Sequence, residues 1–167
     1  TYFFGTDDVG RDVFSRTVIA TRTSLVISLV VLLIAILIGI PLGAISGFFG
    51  GWVDEVIMRI TDIFLTVPAL LLAMAMAAAL GTGMVNAMIA IALVWWPGYA
   101  RLTRGQVLSL REREFIEATR ALGGGRWHTI FRHILPNILS AVIVKASMDI
   151  GFAILVAAGL GYIGVGV

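Results

Sequence analysis

The stretch LVISLVVLLIAILIGIPLGAI, residues 25–45, decides the fold class of this chain. No Asp, Glu, Lys or Arg occurs between Arg22 and Asp54, and an α-helix crosses a lipid bilayer with about 20 apolar residues. Over all 167 residues, 59% are hydrophobic and 13% are charged, whereas soluble domains average roughly 45–50% and 25%. We therefore predict an all-α integral membrane protein that crosses the membrane several times.

Further apolar stretches follow the first. Charges are absent again between Asp62 and Arg101, but that window is too long for one span, and GTGMVN at 81–86 divides it. A last apolar run follows a segment rich in arginine. We expect Pro68 and Pro97 to kink their helices, which neighbouring helices tolerate in lipid. These stretches predict about four transmembrane helices, near 24–47, 56–80, 84–100 and 137–159.

Small residues recur along one face of the first predicted span. Gly39, Gly43, Gly47 and Gly51 stand at every fourth position, and such spacing lets the backbone of a second helix approach closely. The alternative is that glycine is simply frequent in membrane helices. Just beyond, Asp54 is placed to cap the next helix, because an aspartate at the N-cap accepts backbone N–H bonds.

The arginines gather between the third and fourth predicted spans. An excess of Lys and Arg marks the cytoplasmic loops of membrane proteins. We therefore place the segment 101–136 in the cytoplasm, and the opening segment and the turn at 81–86 outside. The arginines of the cytoplasmic segment are Arg101, Arg104, Arg111, Arg113, Arg120, Arg126 and Arg132.

This cytoplasmic segment predicts two short helices joined by a corner. In the helix predicted at 112–122, Phe115, Ala118 and Leu122 recur at the spacing of one helical face. Gly123 follows where a helix ends in a left-handed residue, a conformation that glycine adopts without a Cβ penalty. Such a segment transmits a push to a spanning helix, because both arms are stiff and the corner is fixed. The second amphipathic turn carries Trp127, Ile130, Phe131 and Ile134, and Pro136 then opens the fourth span.

The corner also carries a family resemblance. The triplet EAT at 117–119, followed by Gly123 and then Leu135–Pro136, resembles the E-A-A-x3-G-x9-I-x-L-P loop of the membrane subunits of binding-protein-dependent ABC importers. Thr119 replaces the second alanine, and His133 occupies the isoleucine position. Over nearly the whole chain, the sequence resembles the second permease subunit of the dipeptide, oligopeptide and nickel uptake group. The other stretches that carry this resemblance are FGTDDVGRDVFSR (4–16), GFFGGWVDEVIMR (47–59), WWPGYARLTRGQVLSLREREFIEATRALG (95–123) and FRHILPN (131–137).

This resemblance implies a coupling helix at about 112–123 that sits in a groove of a cytoplasmic ATPase subunit. Closure of two ATPase subunits around ATP and Mg would switch the translocation path between outward and inward access, and this chain would bind no cofactor and catalyse no reaction. The implied partners are a homologous permease subunit, two cytoplasmic ATPase subunits, an extracytoplasmic solute-binding protein and membrane lipid, with no nucleic acid. The implied location is the inner cell membrane.

The resemblance also implies how the chain is organised. Residues 1–167 form one transmembrane domain, and the segment 101–136 is the coupling loop within it. The family has one span before this domain begins and another after it ends, so we expect the chain to be a piece of a longer permease.

Six residues are expected to shape the surface that meets the ATPase. Glu117 and Arg120 would offer polar contacts, Ala118 would permit close approach and Gly123 would set the corner. The alternative is an ordinary surface helix. The expected ATPase-coupling residues are Phe115, Glu117, Ala118, Arg120, Leu122 and Gly123.

Two opposite charges lie inside the fourth predicted span. Lys145 and Asp149 are four residues apart, which permits an ion pair along one helix, and an unpaired charge there costs about 2.5–3.5 kcal/mol. One interpretation places the pair on the translocation path, in contact with a charged end of the solute. The other is a neutralised pair that stabilises the bundle. A rival function, an ion-gradient-driven carrier, would use Lys145 and Asp149 as a charge relay.

Other chemistry finds little support in the sequence. GLGYIG at 159–164 matches a dinucleotide-binding pattern, but it follows a membrane helix instead of a strand.

His128 and His133 are five residues apart, which is the wrong spacing for one helical face, so no metal site is expected. The opening turn GTDDVGRD lacks a calcium-loop pattern and is expected to meet the solute-binding protein. The chain has no cysteine, no hydrolase-like Ser/His/Asp arrangement and no Walker-type glycine loop, so a membrane-embedded hydrolase is only a nominal alternative.

Overall fold

The computed structural model describes residues 2–164, apart from the side chain of Arg120. Within that range the chain forms seven α-helices and one π-helical turn, with no β-strand, so the all-α prediction is confirmed. The elements are α1 (Val13–Phe49), α2 (Gly51–Thr66), α3 (Ala69–Leu80), α4 (Met84–Arg111), α5 (Glu114–Ala121), α6 (Arg126–Thr129), the π-turn (Ile130–Ile134) and α7 (Leu135–Tyr162).

Two helical runs of the described range are long and apolar enough to cross a membrane. They are Val13–Phe49 and the continuous run Arg126–Tyr162, which contain the first and fourth predicted spans. The second predicted span is broken, because α2 and α3 meet at 93°. The length and composition of α4 do not by themselves mark it as a span, so the count of four remains a prediction.

Pro68 interrupts the second predicted span more severely than a kink. A proline disfavours helical backbone in the residue before it, and Val67 accordingly has extended angles, φ −89° and ψ 134°. Pro97, by contrast, lies inside the uninterrupted helix α4. The two prolines therefore act differently, and only Pro68 separates two helices.

The predicted glycine face on α1 is confirmed at three of its four positions, where α1 packs on α4. An added Cβ at Gly39 would lie 2.6 Å from the Trp96 carbonyl oxygen, and one at Gly43 would lie 2.3 Å from the Ala100 carbonyl oxygen. Gly47 is similarly close to α4. The two backbones thus approach so closely that no side chain fits between them.

Gly51 and Asp54 were wrongly assigned from the sequence. Gly51 begins α2 instead of continuing α1, and nothing lies within 4 Å of a Cβ added there. Gly50 is the N-cap of α2, so Asp54 lies in the first turn and not at the cap. The chain reverses at Gly50 and Gly51 with φ +64° and +57°, a conformation that favours glycine.

The core forms three layers along the bundle, between α1, α4 and α7. One layer includes Val31 of α1, Ile91 of α4 and Ala73 of α3, and the next layer along the bundle includes Tyr99. The third lies at the arginine-rich end, where α5 and the π-turn join the bundle. Its buried members are Ala44, Val107, Ile116, Ile130, Ile134 and Ile138.

Candidate functional site

Among the described side chains of helix α5, one is buried in the bundle and attaches the helix to it. Because α4 continues to Arg111, the turn that leads into α5 begins only there, and α5 is shorter than the predicted 112–123. Ile116 is 0% exposed and packs in the third core layer. The prediction from helical spacing did not include Ile116, although its bulk and its flanking charged residues mark it as an anchor.

The predicted apolar face of α5 points away from the bundle. Leu122 is 89% exposed, and Phe115, Glu117 and Ala118 are exposed as well. The side chain of Arg120 lies outside the described residues. Since Ile116 holds the opposite side of the helix in the core, Phe115, Ala118 and Leu122 form an outward face, which we call the α5 face.

The corner after α5 has the predicted glycine geometry. Gly123 has φ +82°, and the Gly124 N–H donates a 2.9 Å hydrogen bond to the Thr119 carbonyl oxygen, as in a Schellman helix end. A Cβ added at Gly124 would lie 2.7 Å from the Thr119 side chain. Gly124, which the sequence prediction did not single out, is thus a second position at this corner that must stay small.

The second arm runs directly into the last helix. From Arg126 to Tyr162 the helical run is continuous, and the π-turn at Ile130–Ile134 precedes Pro136. There the Leu135 N–H bonds to the Ile130 carbonyl oxygen, five residues back. Pro136 has no N–H to donate to the helix, and its ring crowds the preceding turn of an α-helix. The wider π-turn gives this ring the space that it needs.

The apolar face predicted for the second arm divides into a buried half and an exposed half. Ile130 and Ile134 are buried, whereas Trp127 and Phe131 are exposed. The Trp127 ring lies 5.8 Å from that of Phe49, measured between centroids, and stacks on Phe131 at 6.1 Å. This aromatic contact joins the end of α1 to the second arm.

The π-turn also corrects the reading of the two histidines. His128 and His133 were expected on different faces, but their ring centroids lie 5.6 Å apart. A π-helix forms i→i+5 bonds, so residues five apart become neighbours.

A charged contact binds α2 to α4 at the same end of the bundle. Arg104 donates hydrogen bonds to Asp54 from Nε to Oδ1 at 2.5 Å and from Nη2 to Oδ2 at 2.6 Å, and the Ser46 hydroxyl donates to Asp54 as well. Asp54 precedes the apolar stretch predicted at 56–80. The hydrogen bonds from Arg104 lower the pKa of Asp54 below its usual 3.8, and the same contact raises the pKa of Arg104.

Two further arginines of α4 hold neighbouring helices. Arg101 Nη2 lies 2.5 Å from Asp62 Oδ1 on α2, and Arg111 Nη1 donates a 3.0 Å hydrogen bond to the Gly47 carbonyl oxygen of α1. From the sequence these arginines marked the cytoplasmic side, and their structural partners were missed.

Lys145 and Asp149 form the predicted ion pair. Lys145 Nζ lies 3.0 Å from Asp149 Oδ2 and donates a 3.3 Å hydrogen bond to Oδ1. It also lies 5.1 Å from the centroid of the Tyr99 ring on α4. The pair lines an open groove of about 540 Å³ whose other walls are mostly apolar. The pair lies beside Tyr99 of the second core layer, whereas α5 is anchored in the third core layer. The pair and the α5 face are therefore separate sites.

Comparisons with known proteins identify a matching family and several similar proteins. Residues 39–167 match the family described as "Binding-protein-dependent transport system inner membrane component". The chain is 53% identical over 165 residues to the probable D,D-dipeptide transport system permease protein of Escherichia coli (strain K12), covering 99% of this chain and 55% of that protein.

Two other relatives carry different names. The dipeptide transport system permease protein of Alkalihalophilus pseudofirmus is 48% identical over 165 residues, covering 99% of this chain and 54% of that protein. The nickel transport system permease protein of Escherichia coli (strain K12) is 42% identical over 166 residues, covering 99% and 60%. The chain therefore spans little more than half the length of these curated relatives.

Proposed function

Because the chain belongs to the family of inner membrane components of binding-protein-dependent transport systems, we propose that it is part of the permease subunit of an ATP-driven importer. The cargo we propose is a peptide or a related small solute. The relatives named for dipeptides support this choice, and another relative is named for nickel transport.

The α5 face is the observation that carries the proposal. An exposed apolar patch that is rimmed by polar residues marks a site of interaction with a protein or a membrane. Here Ile116 anchors the helix from behind while Leu122 and Phe115 point outward. We propose that a cytoplasmic ATPase subunit covers this face, with Glu117 and Arg120 making polar contacts and Ala118 allowing close approach.

The corner and the second arm would pass a movement of α5 to the membrane. The backbone turns at Gly123, and the helical run that starts at Arg126 continues to Tyr162. A displacement of α5 therefore reaches α7 through a short, folded link. ATP bound by the partner subunits can drive alternating access only if it binds the two conformations with different affinity.

The proposed assembly contains more than this chain. It includes a homologous permease subunit, two cytoplasmic ATPase subunits that hold ATP and Mg, and an extracytoplasmic solute-binding protein, all at the inner membrane. In this assembly the chain is non-catalytic and binds no cofactor of its own. The opening segment 4–16 is proposed to meet the solute-binding protein.

The ion pair in α7 supports a rival proposal, an ion-gradient-driven carrier. Lys145 and Asp149 are close enough to exchange a proton, as a charge relay requires. The family assignment favours the ATP-driven system. Copurification separates the two, because only the importer carries a bound ATPase.

The proposal is tested by charge reversal on the α5 face. In the full-length permease, coexpressed with its partner permease and ATPase subunits, Glu117→Arg is expected to weaken ATPase retention about tenfold. Gly123→Val is expected to reduce ATP hydrolysis by the complex, because φ +82° strains a β-branched residue. The control is Asp8→Arg, an equal-sized reversal at an exposed residue before α1, and all variants are measured without the solute-binding protein that the opening segment is proposed to meet. Unchanged retention and hydrolysis in both α5 variants would refute the proposal.

A further inference from the structure

The two side chains of the Lys145–Asp149 pair differ in their exposure. The side chain of Lys145 is 30% exposed and faces the open groove, whereas that of Asp149 is 11% exposed and lies beneath it. The lysine stem lies against α4, because a Cβ added at Gly98 would be in ordinary contact with Lys145 Cε at 3.5 Å. The lysine therefore presents its ammonium group at the groove surface.

The groove is unsuited to lipid at this point. A charged side chain in contact with hydrocarbon is costly, and intramembrane charges face a bundle interior or a water-filled cavity. Six of the groove's eight lining residues carry no charge and no long polar side chain beyond a hydroxyl. Lys145 is thus the one cationic residue among the eight that line the groove, beside Asp149 and mostly apolar neighbours, and contact with water or solute suits it better than contact with lipid.

The unused hydrogen-bonding capacity that faces the groove belongs to the lysine, because Asp149 Oδ2 and the Tyr99 hydroxyl are buried. An ammonium group has three donors and no acceptor. Asp149 directs both carboxylate oxygens to within 3.3 Å of Nζ, and the Tyr99 ring covers another side. Donor capacity remains toward the groove, whereas Asp149 Oδ2, which has no hydrogen-bond partner among the described residues, is buried and closed to a ligand in the groove. The groove can therefore bind an anionic acceptor through the Lys145 ammonium group, and it is a poor site for a second cation.

We propose that Lys145 binds the carboxylate of the transported solute, such as the C-terminus of a small peptide, as it passes the groove. Asp149 and Tyr99 are positioning residues that hold the ammonium group in place. This inference rests on the proposed import function, and it names the solute feature that the permease recognises. A carboxylate of the second permease subunit in the same place would be a structural contact instead, and the experiment distinguishes the two.

The experiment measures binding to the full permease–ATPase complex in nanodiscs, without the solute-binding protein. The probes are alanyl-alanine, its C-terminal amide and its N-acetyl form, titrated by ligand-observed NMR. The wild-type complex is expected to bind the two probes with a free carboxylate about tenfold more tightly than the amide, the range of a charged hydrogen bond. Lys145→Met should abolish this difference, and Lys145→Arg should keep it.

The outcomes decide the role of Lys145. An equal affinity of the wild-type complex for the acid and the amide, no binding of any probe, or a preference that survives Lys145→Met would each overturn the inference. If Lys145→Met leaves Asp149 unpaired and the complex fails to assemble, the double variant Lys145→Met/Asp149→Leu removes both charges together and takes its place. Retention of the ATPase does not depend on this preference, so the inference can fail while the proposed function stands.

Discussion

Arg104 and Asp54 form a two-point ion pair, 2.5 Å and 2.6 Å between their paired atoms, which joins α4 to the first turn of α2. Ser46 adds a hydrogen bond from α1, so three helices meet at one carboxylate. The α5 face lies at the same end of the bundle. This contact therefore fixes the helices against which α5 is anchored.

Removing the Asp54 charge should destabilise the bundle. Asp54→Asn leaves the half-buried Arg104 without its carboxylate, and we expect a loss of roughly 2 kcal/mol. The neighbouring Glu55→Gln is the control, because Glu55 pairs with Arg59 at an exposed site, where such pairs contribute about 0–1 kcal/mol. Thermal unfolding in detergent compares the two, and equal losses would contradict the assignment.

The same pair predicts a pH dependence. The pKa of Asp54 is lowered in the folded protein, so its contribution to stability is present above the unfolded value of 3.8. That contribution falls as the pH drops through the folded pKa, because protonation removes the partner of Arg104. Melting temperatures of the wild type and Asp54→Asn, measured down the pH scale, should converge at acid pH. A constant difference would show that the carboxylate charge is not responsible.

The contact between α1 and α4 should not tolerate a methyl group. Gly43→Ala would place a Cβ 2.3 Å from the Ala100 carbonyl oxygen, and the resulting separation of the helices is expected to cost about 1–3 kcal/mol. Gly105→Ala is the matched control within a helix, because nothing lies within 4 Å of its added Cβ. We expect the control to be neutral or stabilising by up to about 1 kcal/mol. The measurement is again thermal unfolding, and equal behaviour of the two variants would count against the close approach.

Substitutions at Ile116 and Leu122 should have different effects, because Ile116 anchors α5 in the bundle and Leu122 is proposed to contact the ATPase. Ile116→Ala removes a fully buried side chain, and we expect a loss of roughly 3 kcal/mol in the local stability of α5. Hydrogen exchange at residues 114–122 measures that loss. Leu122→Ala, at an exposed position, should leave the exchange unchanged and weaken ATPase retention. Faster exchange in Leu122→Ala would show that its side chain supports the helix itself.

Much of the fold follows from patterns that act over short distances. The uncharged stretches located α1 and α7, the glycine spacing located the face of α1 that a second helix approaches, and Gly123 located the corner, because each depends on residues close in sequence. The break at Pro68 was underestimated, since a proline alone does not fix the angle between the helices on either side.

The remaining features depend on contacts between distant segments. The anchor Ile116 lies on the side of α5 opposite to the predicted face, and only the packed core shows which side is buried. The proximity of His128 and His133 required the π-turn. Asp54 was expected at a helix cap, and its pairing with Arg104, fifty residues later in the chain, has no local signature.

The most direct test of the account is a cross-link from the α5 face to the ATPase. This part of the permease contains no cysteine, so Ala118→Cys or Leu122→Cys introduces a single reactive thiol here. In the full-length complex, a cysteine-to-lysine cross-linker is expected to join both positions to the ATPase subunit, and Thr82→Cys, at an exposed position in the turn at 81–86 that is predicted to lie outside, should give no product. Cross-links from Thr82→Cys alone, or none from Ala118→Cys and Leu122→Cys in a complex that retains its ATPase, would contradict the proposal that this face is the coupling surface.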